Sequence, residues 1–287
     1  MVTFTAPSRL TARERARRAA RGGGSRSVPA PLLVPALVAV GFLVLPLIGL
    51  LIRAPWGRIG AALSGADATQ ALVLSLWTAT TATAISLVIG VPLAWVLART
   101  SFPGQRLLRA LVTLPLVLPP VVGGVALLYA FSVNNGIVGG WLHDAFGVQL
   151  TFSTAGAVLA ETFVAMPFLV ITVEAGLRSM DRSYEDAAAT LGASRWTVFR
   201  RVTLPLIGPS LFAGAALAWA RALGEFGATI TFAGNIQGRT QTMPLAVYLL
   251  LETQQGTAIV LSLVLLAVSV VVLVSLRDRW FGAVRES

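Results

Sequence analysis

Apolar positions along this chain come in long runs broken by short polar stretches. A bilayer's hydrocarbon core takes about 20 mostly apolar residues of helix. Six runs meet that length: Pro31 to Ile52, Ala71 to Ala98, Ala110 to Phe131, Thr154 to Leu177, Leu206 to Phe232 and Thr257 to Leu276. None alternates with period 2 over about 10 residues, as the strands of a membrane barrel do. The pattern predicts an all-α polytopic membrane protein with six transmembrane helices.

The polar stretches differ in charge, and the difference sets an orientation. Seven Arg precede the first run (Arg9, Arg13, Arg15, Arg17, Arg18, Arg21, Arg26). The second connection carries Arg99, Arg106 and Arg109, the fourth Arg178, Arg182, Arg195, Arg200 and Arg201, and the C-terminus Arg277, Arg279 and Arg285. The alternate stretches hold only Arg53, Arg58 and Arg239. Short loops rich in Arg stay in the cytoplasm, so both termini are expected there. The expected organisation is an Arg-rich, disordered cytoplasmic tail over residues 1–27, a first helix and external loop over 28–70, and a transmembrane core over 71–276. A loop at 178–205 interrupts that core, and a cytoplasmic tail follows over 277–287. A signal peptide is not expected, because the first apolar run exceeds an h-region and no A-x-A-like site follows it.

Composition narrows the function. Hydrophobic residues make up 56% and charged residues 12%. All 22 basic residues are Arg, so the chain lacks the Lys of a G-x-x-x-x-G-K-[ST] phosphate loop and is not its own ATPase. With no Cys and the single His143, neither a thiolate nor a His-cluster metal site can form, and no nucleophile-base constellation is available for an intramembrane enzyme. No catalytic residue, metal or cofactor is expected in this chain. The net charge of +10 reads as a topology signal with affinity for membrane lipid. No aromatic-interleaved basic motif supports nucleic-acid binding.

The loop at 178–205 carries the sharpest pattern. It reads as helix, break, helix: Asp181 or Ser183 can cap the first segment, with Glu185 and Asp186 in the turn where the helix dipole favours acid. Gly192 permits a turn with positive φ, Ser194 can cap the second segment, and Pro205 marks the entry to the fifth span. The spacing E-A-A, three residues, Gly, nine residues, I-x-L-P occurs here as Asp186, Ala187, Ala188, Gly192, Val202, Leu204 and Pro205. It resembles the signature of permease subunits of binding-protein-dependent ABC importers, with Asp for Glu and Val for Ile. The resemblance implies the type I ABC importer permease fold and a coupling helix that docks on an ATPase through Glu185, Asp186, Ala187, Ala188, Gly192, Leu204 and Pro205.

A second stretch, Ala218 to Leu245, is similar to molybdate and tungstate permeases, with sulfate and thiosulfate permeases as cousins. Its Gly224 to Gly227 run, Ala228-Thr229 and the G-N-I-x-G-x-T-x-T-x-P tail favour molybdate over sulfate. Leu118-Pro119-Pro120-Val121-Val122-Gly123-Gly124 resembles the same group. The resemblance covers about Ala71 to Leu276. It implies a homodimer of permease subunits working with two cytoplasmic ATPase subunits, which would hold ATP and Mg, and with an extracytoplasmic oxyanion-binding protein touching Asn235, Gln237 and Arg239. The alternatives are a sulfate or thiosulfate permease of the same family and a secondary transporter. For the last, the carboxylates within the spans are few and near their ends.

Two features inside the spans need a physical account. A charge at a helix centre costs about 2.5 to 3.5 kcal/mol, yet Arg221 and Glu225 lie in the fifth run. Four residues apart, they share a face and can neutralise each other, and Glu161 is a second possible partner for Arg221. Either this is a structural ion pair or the face, with Gly224, Phe226 and Gly227, borders an anion pathway. Pro119 and Pro120 followed by Gly123 and Gly124 break the third run, which lipid tolerates badly; they line the pathway or form a packing kink. The run Ala79 to Ala84 reads as a helix contact surface.

Overall fold

A computed structural model describes residues 30–282. The tail over residues 1–27 lies outside them, as do residues 283–287. Helix α1 (Ala30–Ile52) belongs to a unit of its own, Met1–Arg53. It is apolar all round, with Leu37, Phe42, Leu45 and Ile52 exposed, the composition of a helix whose surroundings are hydrocarbon.

The second unit begins at Ala54. After a 3-10 turn (Trp56–Arg58) come α2 (Ile59–Leu63), α3 (Ala66–Arg99), α4 (Gln105–Val117), α5 (Pro120–Phe131), α6 (Gly139–Phe146) and α7 (Thr154–Ser179). Then follow α8 (Ser183–Thr190), α9 (Arg195–Val198), a π turn (Phe199–Thr203), α10 (Leu204–Leu206), α11 (Gly208–Leu223), α12 (Gly227–Phe232), α13 (Met243–Thr253) and α14 (Gln255–Gly282). Among the described residues four helices are long and apolar enough to cross a membrane: Pro31–Ile52, Asp67–Arg99, Thr154–Ser179 and Gln255–Val272. Two bent pairs also qualify, for up to six spans.

Those bent pairs correct the expected third and fifth spans. Ala110 to Phe131 is no single helix, because α4 and α5 meet at a bend of 120°. The cause is local. A residue before proline is pushed off helical geometry, and Leu118 (ψ 134°) and Pro119 (ψ 133°) each precede one. Pro120 then starts α5, where its missing N–H costs nothing. Leu206 to Phe232 is likewise divided, by a 72° bend at Ile207 between Arg195–Leu206 and Gly208–Leu223, and again between α11 and α12. An apolar helix of 11 residues, α13, stands in the connection expected to be loop.

The core is the junction of α3, α7 and α11. Ala79, Ala82 and Ala94 of α3 and Ala218 and Ala222 of α11 are buried against Leu169, Val170 and Val173 of α7. Small side chains let helix backbones approach where lipid offers no hydrophobic drive to association. Two buried hydroxyls of α3 are satisfied within their own helix: Thr83 Oγ1 donates to the Ala79 carbonyl (2.7 Å) and Ser86 Oγ to that of Ala82 (2.8 Å).

Candidate functional site

The Arg-rich loop between α7 and α11 is built from local signals. The Asp181 carboxylate accepts the Ser183 N–H at 2.9 Å, and hydrogen bonds from the Ser183 backbone and then its hydroxyl hold this carboxyl below its usual range. Helix α8 ends where the N–H of Gly192 bonds Ala189 O and that of Ala193 bonds Ala188 O (2.9 and 3.1 Å), with Gly192 at φ +82°. This pair of bonds defines a Schellman cap, which calls for the left-handed conformation glycine takes freely. Ser194 Oγ then accepts the Thr197 N–H (3.2 Å) and starts α9. Three large side chains point outward: Tyr184, Leu191 and Trp196 are 57%, 89% and 67% exposed. Asp186, Ala187, Gly192 and Pro205 are exposed too, whereas Ala188 and Leu204 are half-buried.

Glu185 is turned inward. Its Oε2 pairs with Arg99 Nη2 at 3.2 Å, and its Oε1 accepts from Thr203 Oγ1 at 2.6 Å. Beside the pair lies a cavity of about 330 Å³ lined by Trp95, Arg99, Arg182, Glu185, Asp186 and Arg195. A neighbouring network closes the end of α3. Glu174 accepts from Arg109 (2.8 Å) and Arg178 (2.9 Å), while the Leu97 carbonyl accepts from Gln105 (2.8 Å) and Arg178 (3.0 Å). Cationic donors at a helix C-terminus satisfy its orphan carbonyls and its dipole. Sequence reasoning used Arg99, Arg109 and Arg178 only as orientation charges, because nothing local to them names partners 65 to 86 residues away.

The second cluster sits at the break after α11. Arg221 Nη1 pairs with Glu225 Oε2 at 2.5 Å, with the guanidinium 27% and the carboxylate 1% exposed. Glu225 Oε1 accepts the Ala228 N–H at 2.8 Å. One carboxylate thus neutralises the last turn of α11 and satisfies an orphan donor at the start of α12. Glu161, the other partner considered for Arg221, is buried on α7 and accepts from Thr78 Oγ1 of α3 at 2.8 Å. Phe226 stands against Tyr248 with ring centroids 5.1 Å apart.

The Pro119–Gly124 stretch meets this break directly. A Cβ on Gly124 would lie 2.6 Å from Thr231 Cβ and 2.9 Å from Ala228 O, and one on Gly227 would lie 2.8 Å from Pro120 Cβ. Helices α5 and α12 therefore touch backbone to backbone. Gly124 is buried in this contact and Gly123 against the Phe163 ring of α7, while Pro119 and Pro120 remain exposed.

At the opposite end from the Arg-rich loop, residues 233–242 fold on themselves. The Ile236 carbonyl accepts the N–H groups of Arg239, Thr240 and Gln241, and the Ile236 N–H donates to Thr240 Oγ1 (2.9 Å). Thr154 Oγ1 donates to Arg239 O at 2.8 Å, and the Met243 N–H to Ser75 Oγ at 2.6 Å, so the loop is anchored to α7 and α3. Gln237 and Arg239 are exposed and Asn235 is half-buried. Among the described residues no group of three His, Cys, Asp or Glu side chains could hold a metal.

The chain is similar to known proteins. A family model described as "Binding-protein-dependent transport system inner membrane component" matches residues 90–283. The molybdenum transport system permease protein of Mycobacterium tuberculosis is 47% identical over 252 residues, covering 88% of this chain and 95% of the relative. The sulfate transport system permease protein of Escherichia coli (strain K12) is 39% identical over 238 residues, 82% of this chain and 85% of the relative. A bacterial alginate ABC transporter, solved in complex with alginate pentasaccharide-bound periplasmic protein, matches with a TM-score of 0.70 at 17% identity, over 86% of this chain and 91% of that one. At that identity it speaks for the fold alone.

Proposed function

The chain belongs to the family of binding-protein-dependent transport system inner membrane components, and on that premise we propose that it is the membrane permease of an ATP-driven molybdate importer. The 47% identity to a molybdenum permease across 88% of the chain carries this reading. As a permease it performs no covalent chemistry of its own; ATP and Mg belong to partner subunits. Two copies would form the pathway, with two ATPase subunits on the Arg-rich side. Six spans, counting each bent pair once, would leave both termini on one side, and eighteen Arg on that side against three on the other favour the cytoplasm.

The geometry supports a separate task for each of the two ends. Tyr184, Leu191 and Trp196 give the loop an exposed apolar face around α8, and a helix presents such a face to a groove in its partner. Gln237 and Arg239 on the opposite loop supply polar contacts to the oxyanion-binding protein. Arg221, already matched by Glu225, borders the pathway with Phe226, Pro119 and Pro120. A guanidinium so neutralised attracts an oxyanion only weakly and lets it leave.

Uptake of radiolabelled molybdate decides the matter, in a host lacking its own permease and supplied with this chain, its ATPase and its binding protein. ATP-dependent uptake, blocked by unlabelled tungstate and little affected by sulfate, is expected. Sulfate uptake without molybdate uptake would transfer the chain to the sulfate reading that its 39% identical relative favours. Uptake without the ATPase would make it a secondary transporter.

A further inference from the structure

The importer reading leaves open how motion of the docked loop reaches the spans. The Glu185 carboxylate touches three elements at once: it belongs to α8, it pairs with Arg99 at the end of α3, and it accepts from Thr203 in the π turn leading into α10 and α11. The Arg99 side chain is 7% exposed, beyond the reach of a partner protein's surface. Its Nε and Nη2 make no hydrogen bond of good geometry. Glu185 is the carboxylate it meets, by charge at 3.2 Å. The last residue of an exposed helix end would keep its charge in water. From α3 the connection continues, because the Leu97 carbonyl is held by Arg178 of α7 and by Gln105 of α4.

We propose that Arg99 is a positioning residue that ties the coupling loop to α3, so that displacement of α8 by the ATPase moves α3 and α11 together. The proposal rests on the importer reading and deepens it. A tie of this kind acts on coupling between two sites, and its free energy is shared by both residues. Losing either end should therefore release the same motion, and losing both should add nothing.

The test uses Arg99→Gln, Glu185→Gln and the double variant, each assembled with ATPase and binding protein in proteoliposomes. Glu185→Gln keeps an acceptor for Thr203 while removing the charge. The readout is ATP hydrolysed per molybdate imported, a ratio that a smaller amount of folded complex does not move. Each single variant should raise it roughly tenfold, within the range that residues along a coupling route produce, and the double variant should match the singles. An unchanged ratio in either single variant, or a multiplied effect in the double, would overturn the tie. If Arg99→Gln yields no complex, Glu185→Gln alone is read, and an unchanged ratio again refutes it. A wild-type complex with no ATP-dependent uptake would overturn the importer reading, and the tie with it. Uptake with wild-type ratios in the variants would overturn the tie alone.

Discussion

Two glutamates bridge two breaks in this protein, and they do so on different scales. Glu225 takes its cation from its own helix, Arg221 four residues back, and its second oxygen caps a helix that begins two residues later. Every partner is local, and the carboxylate is 1% exposed. Glu185 takes its cation from Arg99, 86 residues away, and its hydroxyl donor from Thr203. Glu225 therefore fixes the shape of one broken span, whereas Glu185 fixes the relation among three elements. Loss of the first should be read in stability. Loss of the second should be read in coupling.

The largest expected effect breaks the local brace. Glu225→Ala leaves a half-buried guanidinium unmatched and an orphan N–H at the start of α12. Removing one partner of a fully buried pair costs about 3 to 5 kcal/mol, and the 27% exposure of Arg221 sets the loss below that range, with the orphan N–H adding about 1 kcal/mol or more. The thermal midpoint of the purified protein should drop by several degrees, and Glu225→Gln, which can still accept from Ala228, should drop less. A midpoint equal to wild type for Glu225→Ala would erase the contrast between the two glutamates.

Next comes the contact that holds the same break in place. Gly124→Ala would put a methyl group 2.6 Å from Thr231 Cβ and 2.9 Å from a backbone oxygen of α12. Overpacking of this kind costs about 1 to 3 kcal/mol. Gly123→Ala meets only the Phe163 ring, at 3.2 Å, and rings can shift. Midpoints ranked Gly123→Ala above Gly124→Ala are expected, and the reverse order would show that α5 and α12 do not rely on this approach.

A third substitution moves to the loop and should act by strain alone. A Cβ at Gly192 meets nothing within 4 Å, yet its φ of +82° suits few side chains. Gly192→Val should cost about 1 to 2 kcal/mol and loosen the cap of α8, raising protease cleavage within residues 183–203 while the global midpoint stays near wild type. Gly192→Asn, which tolerates this conformation, should restore resistance. Equal cleavage of all three proteins would remove the role assigned to the turn.

These contrasts follow what was legible in the sequence. Gly192, Ser194 and Pro119 act through neighbours within a few residues, so the turn, the cap and the break could be read from spacing and side-chain type. The 120° bend could not, since a proline states that the ladder stops but not which way the chain leaves. The break after Leu223 hid inside an apolar run, because the carboxylate that stabilises it looks from sequence only like a partner for Arg221. Helix α13 was missed for a tertiary reason: its first N–H is satisfied by Ser75, 168 residues earlier. Glu185 was assigned outward to a partner protein because its pattern names a docking loop. Only the fold brings Arg99 beneath it.

The smallest effect concerns Asp181, which lies on the Arg-rich loop and is fully exposed. Its carboxyl is held below the usual range by the backbone and then the hydroxyl of Ser183. A depressed folded-state value means the ionised form is favoured by folding. Its contribution is complete above the unfolded value of about 3.9 and is lost as pH falls through the lower, folded value. Hydrogen exchange of the first α8 amides, corrected for intrinsic rates, should therefore give constant protection from neutral pH down to about pH 5. Protection should decline only in stronger acid. Asp181→Ala should show slightly reduced protection already at neutral pH, with a flatter acid response, while Asp181→Asn, still an acceptor for the Ser183 N–H, should fall between. Identical protection in wild type and Asp181→Ala at neutral pH would mean that α8 is held by Glu185 and its Schellman turn alone. The contrast would then sharpen further: in the Arg-rich loop only the long-range tie would matter, and in the broken span only the local one.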